Sequence, residues 1–198
     1  DHTLLLMCIV ALFMAEMFCY VAAFPKYQAS QVMAAVFSFL YAPVLLSFVY
    51  LTRECETGIY LVWLILISSW GCDTCAYVVG KLIGKKHIFP ELSPHKSLEG
   101  CIGGVVGAAL IGGLYAHFFV EAAFPDRTIT WIIAFICAAG AVMSMVGDLA
   151  ASAIKRNHNI KDYGRLIPGH GGIMDRFDSM TVTAPMTYFL AILMIGLR

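Results

Sequence analysis

Acidic side chains lie inside or beside strongly apolar segments, where a charge is costly and marks a candidate functional site. Asp73 and Asp148 fall late in two of these segments, and Asp175 and Asp178 open a third. Like charges at low dielectric repel one another unless cations lie between them. Hard oxygen ligands suit Mg²⁺, so the pattern predicts that three helices gather these carboxylates around magnesium at one membrane face. Taken alone, Asp175 is also compatible with a helix cap.

Basic and polar side chains follow Asp148 along the chain. They are Ser152, Lys155, Arg156, Lys161 and Asp162. Asp148, Ser152 and Lys155 are separated by four and then three residues, which places them on one stripe of a helix. Basic groups beside a carboxylate cluster suit a metal-bound polyphosphate, so this stretch is a predicted phosphate-binding region.

A glycine-rich run leads into Asp175. It contains Gly169, Gly171 and Gly172 around His170. Glycines allow the backbone to approach a ligand closely and to turn its N–H groups toward it. The run lacks the spacing of a Walker A loop. His170 is equally suited to contacting a phosphate and to organising the loop.

A further loop contains Lys96 and Ser97, whose ammonium group and hydroxyl can bind phosphate oxygens. Pro94 precedes them, and Glu99 with Gly100 follows, which predicts that a helix begins just after Ser97. Gly103, Gly104 and Gly107 then favour close packing between helices. Cys72 and Cys75 form a CxxC without a second pair, which favours small apolar packing residues over a metal or redox site.

The elements that must position these residues are transmembrane helices. Of 198 residues, 60% are hydrophobic and 13% charged, and the mean hydropathy is +0.80. A soluble domain carries about 25% charged residues. The apolar stretches predict an all-α polytopic membrane bundle of six helices, at roughly 3–24, 31–51, 57–80, 99–124, 128–152 and 176–197. The zero net charge excludes a basic nucleic-acid-binding protein.

The basic residues are distributed unevenly between the two faces of this bundle. Ten of the 13 lie on the side of loops 25–30, 81–98 and 153–176, and Arg53, Arg127 and Arg198 lie on the other. The positive-inside rule makes the ten-residue side cytosolic. An anionic soluble substrate would therefore arrive at the face that holds the predicted site. The alternative is that the basic residues only set topology and contact lipid headgroups.

The predicted site divides the chain into two regions. Residues 1–60 are generic apolar spans, expected to serve packing or dimerisation, and 61–198 form the predicted catalytic membrane domain with loops 81–98 and 153–176. The chain begins with Asp1 and enters an apolar segment at once. We therefore expect that further spans precede it in a longer protein.

The motifs together resemble one enzyme family. The run Ser152-x-x-Lys155-Arg156-x₄-Lys161-Asp162-x-Gly164-x-x-Ile167-Pro168-Gly169-His170-Gly171-Gly172-x-x-Asp175-Arg176-x-Asp178-Ser179 closely resembles the signature of phosphatidate cytidylyltransferases, also called CDP-diacylglycerol synthases. The blocks Trp70-x-x-Asp73-x-x-Ala76-Tyr77-x-x-Gly80-Lys81 and Ser93-Pro94-x-Lys96-Ser97-x-Glu99-Gly100 are similar to the same family. The resemblance covers about residues 70–180.

The resemblance implies transfer of CMP from CTP to phosphatidate, with Mg²⁺ and a second cation, K⁺ or Mg²⁺. It implies metal binding by Asp148, Asp175 and Asp178, catalysis by Asp148, Asp175, Lys155 and Arg156, and substrate binding by Asp73, Lys96, Ser97, Ser152, Lys161, Asp162, His170, Gly171 and Arg176. Lys96 and Ser97 are expected on the nucleotide. The expected partners are membrane lipid and a second copy of the chain, in the bacterial inner membrane or its equivalent.

Two alternatives share parts of this pattern. A related CTP-dependent lipid cytidylyltransferase or polyprenol kinase would use a different lipid. An ion-coupled transporter would instead line an ion path with the acids, near the bilayer midplane. Acids beside glycine-rich basic loops favour catalysis over transport.

Overall fold

The computed structural model describes residues 2–88, 90, 92–94, 96–124, 129–164, 166 and 171–196, with no side-chain description for His2. Its α-helices are α1 (His2–Ala22), α2 (Ala29–Phe39), α3 (Leu45–Glu54), α4 (Gly58–Leu66), α5 (Cys72–Ile83), α6 (Leu98–Tyr115), α7 (Ile129–Asn157) and α8 (Met174–Ile195). No β-strand is formed among the described residues, and an isolated antiparallel bridge pairs His87 with Ser97. The all-α fold class is confirmed.

Short π-helical turns link or extend several of these helices, at Leu40–Val44, Ile67–Gly71 and Ala116–Val120. Six helices result that are long and apolar enough to cross a membrane. They are Thr3–Ala22, Ala29–Glu54, Gly58–Ile83, Leu98–Val120, Ile129–Asn157 and Met174–Ile195. The predicted spans agree to within a few residues at most ends. The main difference is α7, which continues to Asn157, five residues beyond the predicted end of the apolar span. It includes Lys155, as the predicted helical stripe requires, and also Arg156.

The chain separates into two compact units, Asp1–Val44 and Leu45–Arg198. In the smaller unit, α2 begins with a capping box, in which the backbone N–H of Gln28 donates to Oε1 of Gln31 at 2.9 Å. The role of the N-terminal region in packing or dimerisation stays a prediction.

The boundary between the units lies earlier than the predicted position at residue 60. Residues 45–60 belong to the larger unit because α3 packs against α8. The ring of Phe48 lies 5.3 Å from the rings of both Tyr188 and Phe189. Thr52 in α3 is also fully buried.

Glycines and small residues bring α5 and α6 into close contact. A Cβ at Gly103 would lie 2.6 Å from Val79, and one at Gly104 would lie 2.9 Å from the Cys72 sulfur. The Cys75 sulfur fills the space beside Gly107. The predicted packing roles of the glycines and of the CxxC pair are therefore confirmed. This contact fixes the face of α5 that carries Asp73.

Candidate functional site

Helices α5, α7 and α8 enclose a polar cavity of about 540 Å³. Its walls are formed by Trp70, Asp73, Thr74, Asp148, Lys155, Asp162, Asp175, Arg176, Asp178 and Ser179. The four predicted carboxylates thus border one cavity, as the sequence pattern indicated. We call it the acidic cavity.

A glycine contact between α7 and α8 brings two of these carboxylates together. A Cβ added at Gly147 would lie 3.2 Å from the carbonyl oxygen of Asp178 and 3.3 Å from the Cα of Ser179. A methyl group at position 147 would therefore require the α8 backbone to move away by a few tenths of an ångström. The absence of one places Asp148, the next residue of α7, beside the first turns of α8.

Asp175 ties the preceding loop to the start of α8. Its Oδ1 accepts from Lys155 Nζ at 3.0 Å, and its Oδ2 accepts from the backbone N–H groups of Tyr163 and Gly172, each at 2.9 Å. Hydrogen bonds to an ionised acceptor are about twice as strong as neutral ones. Asp175 therefore acts as an organiser of the loop in this structure, engaged through both oxygens.

Lys155 is the central cation of the acidic cavity. Its Nζ lies 3.0 Å from Asp175 Oδ1 and 3.7 Å from Asp178 Oδ2, and 5.2 Å from the centre of the Tyr163 ring. Burial raises the pKa of the Tyr163 phenol, and the negative charges of Asp178 and Asp175 raise it further. The phenol therefore stays protonated, and its O–H donates to the Ala151 carbonyl oxygen at 3.3 Å.

A smaller cavity of about 230 Å³ adjoins the acidic one, since Asp73 lines both. Its walls are formed by Asp73, Ala76, Tyr77, Lys96, Ser97, Gly100, Cys101 and Met145. Lys96 Nζ lies 2.5 Å from Asp148 Oδ2. We call it the lysine cavity.

The loop before α6 is held in place by hydrogen bonds at its two ends. Glu99 Oε2 accepts from the backbone N–H groups of Lys85 and Lys86, at 3.1 and 3.3 Å. Helix α6 begins just after Ser97, as predicted, and Ser97 caps it, because its Oγ accepts from the Gly100 N–H at 3.1 Å. Gly80 leaves room for this hydroxyl, since a Cβ there would lie 3.1 Å from it. These contacts fix the position of Lys96.

Several other predicted residues lie apart from both cavities. Arg156 and Lys161 are exposed, and Arg156 Nη1 lies 3.5 Å from the Ile160 carbonyl oxygen. Ser152 is half-buried, and none of the three is among the described residues that line the cavity walls. Their functional roles stay predictions, and His170 lies outside the described residues.

Sequence reasoning assigned no role to Trp70, Thr74 or Tyr163. The indole N–H of Trp70 donates to the Arg176 carbonyl oxygen at 3.4 Å. The Trp70 ring lies 6.3 Å from that of Phe177, which joins the end of a π-helical turn to α8. For Trp70, the one available signal was its place in the block Trp70-x-x-Asp73 of the sequence. Tyr163 binds Asp175 through its backbone N–H, which no side-chain pattern reveals.

The expected magnesium ion requires oxygen donors that converge on one point of the acidic cavity. Carboxylate oxygens from Asp73, Asp148 and Asp178 border the acidic cavity, which fits a hard divalent cation. Within the described part of the chain, however, no three acidic, histidine or cysteine side chains converge as ligands for one ion. The ammonium groups of Lys96 and Lys155 lie against the carboxylates instead. The donors thus suit a hard cation by their chemistry, whereas in this structure their partners are lysines.

Gly171 offers a test of the loop beside Asp175. Its φ is +82°, and an added Cβ would lie 2.9 Å from Asp175 Oδ2. We expect Gly171→Ala to cost about 1–2 kcal/mol through backbone strain and also to impair the site by displacing the carboxylate. Gly196→Ala is the matched control, since Gly196 has a φ of +73° with nothing within 4 Å. Thermal unfolding should shift in both variants, and catalytic rate should fall in Gly171→Ala alone.

Fold and site together define a class: a polytopic helical membrane protein whose helices gather four carboxylates and Lys155 around one cavity. The chain belongs to the cytidylyltransferase family, since the model of that family matches residues 1–194.

Curated relatives named phosphatidate cytidylyltransferase are similar to this chain. The protein of Haemophilus influenzae is 39% identical over 139 residues, covering 70% of this chain and 48% of the relative. That of Bacillus subtilis is 37% identical over 135 residues, covering 68% and 48%. A Staphylococcus aureus protein is 36% identical over 155 residues, covering 78% and 57%. The chain thus spans about half the length of the curated relatives it matches.

Proposed function

We propose that this chain forms the catalytic part of a phosphatidate cytidylyltransferase, which transfers CMP from CTP to phosphatidate. The observation that carries the proposal is the acidic cavity, where carboxylates of three helices meet Lys155 in a chain of the cytidylyltransferase family. An oxygen of the lipid phosphate attacks the α-phosphorus of CTP. The bond to the β-phosphate breaks, so that CDP-diacylglycerol and pyrophosphate form.

The protein contributes mainly position and charge to this reaction. A phosphate monoester is already ionised near neutral pH, so no strong general base is needed. Lys155 lies within reach of a polyphosphate in the acidic cavity and would neutralise the leaving pyrophosphate. Lys96 supplies a second positive charge on the far side of Asp148. Asp175 holds the backbone N–H groups of Tyr163 and Gly172 at the start of α8.

We further propose that Asp148, Asp175 and Asp178 hold Mg²⁺, with Asp73 near a second cation, K⁺ or Mg²⁺. Such an ion, when bound, screens the phosphate charges and polarises the bond that breaks. Asp148 and Asp178 border the cavity directly. Asp175 Oδ1 becomes available when Lys155 turns from it to a phosphate oxygen.

We also propose on which side of which membrane the reaction takes place. The acidic cavity would face the cytosol, where CTP is found, since the basic excess lies on that side. Bacterial relatives support an inner-membrane location. A homodimer is expected as well, and the mass of the protein in nanodiscs checks it.

Label transfer from CTP distinguishes this function from its alternatives. The purified chain, in mixed micelles with phosphatidate, should incorporate α-labelled but not γ-labelled phosphate into lipid and release one pyrophosphate per product. In a parallel assay with a polyprenol as acceptor, a polyprenol kinase would transfer the γ-label to the polyprenol, whereas a transporter would transfer neither label in either assay. Omitting Mg²⁺ should abolish the transfer. Transfer of γ-label, or none to phosphatidate in the presence of Mg²⁺, would contradict the proposal.

A further inference from the structure

An apolar groove leads away from the lysine cavity along α6. It has a volume of about 260 Å³ and is lined by Cys101, Ile102, Val105, Val106 and Met145. Ile102 and Val106 are more than half exposed, at 58% and 51%. Both lie in a helix long and apolar enough to span a membrane. The groove is therefore open sideways, toward the acyl region of a bilayer.

The groove, the lysine cavity and the acidic cavity are neighbours, because they share wall residues. Cys101 and Met145 line both the groove and the lysine cavity, and Asp73 lines both the lysine cavity and the acidic cavity. From the acidic cavity to the groove, the walls change from carboxylates, through one lysine, to apolar side chains. A phospholipid has the same order of chemistry, with an anionic head followed by hydrocarbon.

We infer that the lysine cavity binds the phosphate of the lipid substrate beside Lys96, and that the groove holds the first carbons of one of its acyl chains. The inference rests on the proposed function. CTP would then occupy the acidic cavity, whose volume is more than twice that of the lysine cavity. The inference also revises the expected role of Lys96 and Ser97, which the sequence pattern placed on the nucleotide.

Charge in the lysine cavity supports the phosphate position. Lys96 is the one cation among the described residues that line it, and Asp73 is the one acid. Gly100 in the first turn of α6 lies at the positive end of the helix dipole, which also favours an anion. Lys96 joins the two cavities because its Nζ contacts Asp148, a wall residue of the acidic cavity. A lipid phosphate on Lys96 would therefore lie next to the nucleotide.

The length of the groove limits what it can select. The five residue-to-residue steps from Cys101 to Val106 advance about 7.5 Å along the helix axis. That distance accommodates only the carbons nearest the glycerol. We therefore expect the groove to discriminate between phosphatidates whose acyl chains differ in branching or bulk near the ester. Total acyl-chain length should not affect binding in the groove.

Met145→Phe tests the inference, because Met145 lies at the junction of groove and lysine cavity. We expect the KM for phosphatidate to rise about tenfold, as changes of a few methylenes in an apolar site do, while the KM for CTP stays unchanged. The increase should be equal for dioctanoyl and dioleoyl phosphatidate. Val142→Phe is the matched control: it lies in the same helix, is 46% exposed, and lines neither cavity nor groove.

The outcomes separate this inference from the proposed function. If wild-type protein transfers no CMP to phosphatidate, the proposed function fails. If the wild type is active and Met145→Phe raises the KM for CTP instead, or changes neither KM, the groove assignment is wrong. Should Met145→Phe fail to fold, Ile102→Phe at the exposed rim of the same groove is expected to raise the KM for phosphatidate in the same way, and no increase there would overturn the inference.

Discussion

Replacing Asp148 by Asn is expected to lower the rate of CMP transfer by about a hundredfold or more, as losing a key charge in a preorganised site does. The amide keeps the size of the side chain but removes its negative charge. Lys96 then loses its partner at 2.5 Å, and the acidic cavity loses one of its metal-binding candidates. Gly147 still fixes the contact of α7 with α8, so the protein should insert and purify normally. Initial rates of labelled lipid formation give the effect.

Two further variants sharpen this prediction. Glu54→Gln removes a negative charge from an exposed side chain at the end of α3 and should leave the rate unchanged. Asp175→Asn should abolish transfer as well, but with a loss of thermal stability, because Asp175 also holds the loop at Tyr163 and Gly172. Near-normal turnover in a well-folded Asp148→Asn protein would remove Asp148 from the proposed metal site.

Helical spacing and hydropathy account for much of the fold and for the content of the acidic cavity. Six apolar stretches predict six helices. The spacing of Asp148 and Lys155 places both on one face of α7, and both line the cavity. The Ser97 cap and the glycine packing of α6 against α5 follow from local chemistry that sequence alone displays.

The pairing of charges within the site could not be predicted in this way. Lys96 pairs with Asp148, 52 positions away, and Tyr163 and Gly172 bind Asp175 through their backbone. Such contacts depend on tertiary packing and on loop conformation, which leave no residue pattern. The end of α7 was missed for a different reason. Hydropathy marks where a chain leaves the membrane, whereas a helix continues into water until its hydrogen bonding ends.

Replacing Lys155 by Met is expected to reduce both stability and activity. Lys155 is only 12% exposed and lies against Asp175 and Asp178, whose side chains are 5% and 10% exposed. Removing one member of a buried charge cluster leaves the others uncompensated, at a cost of about 3–5 kcal/mol. Met preserves the apolar stem, so the loss reports on charge. Thermal unfolding in detergent and the rate of CMP transfer measure the two effects.

Magnesium should restore part of that stability, which tests the proposed ion without any need for turnover. Lys155 lies against Asp175 and Asp178 in the wild type, so it would compete with the proposed cation for them, and Lys155→Met would remove that competition. A ligand present at a hundred times its dissociation constant adds about 2.7 kcal/mol to folding stability. Mg²⁺ should therefore raise the unfolding temperature of Lys155→Met more than that of the wild type. Lys161→Met, which removes an exposed lysine, should respond as the wild type does. An unfolding temperature of Lys155→Met that Mg²⁺ leaves unchanged would show that these carboxylates do not bind the ion.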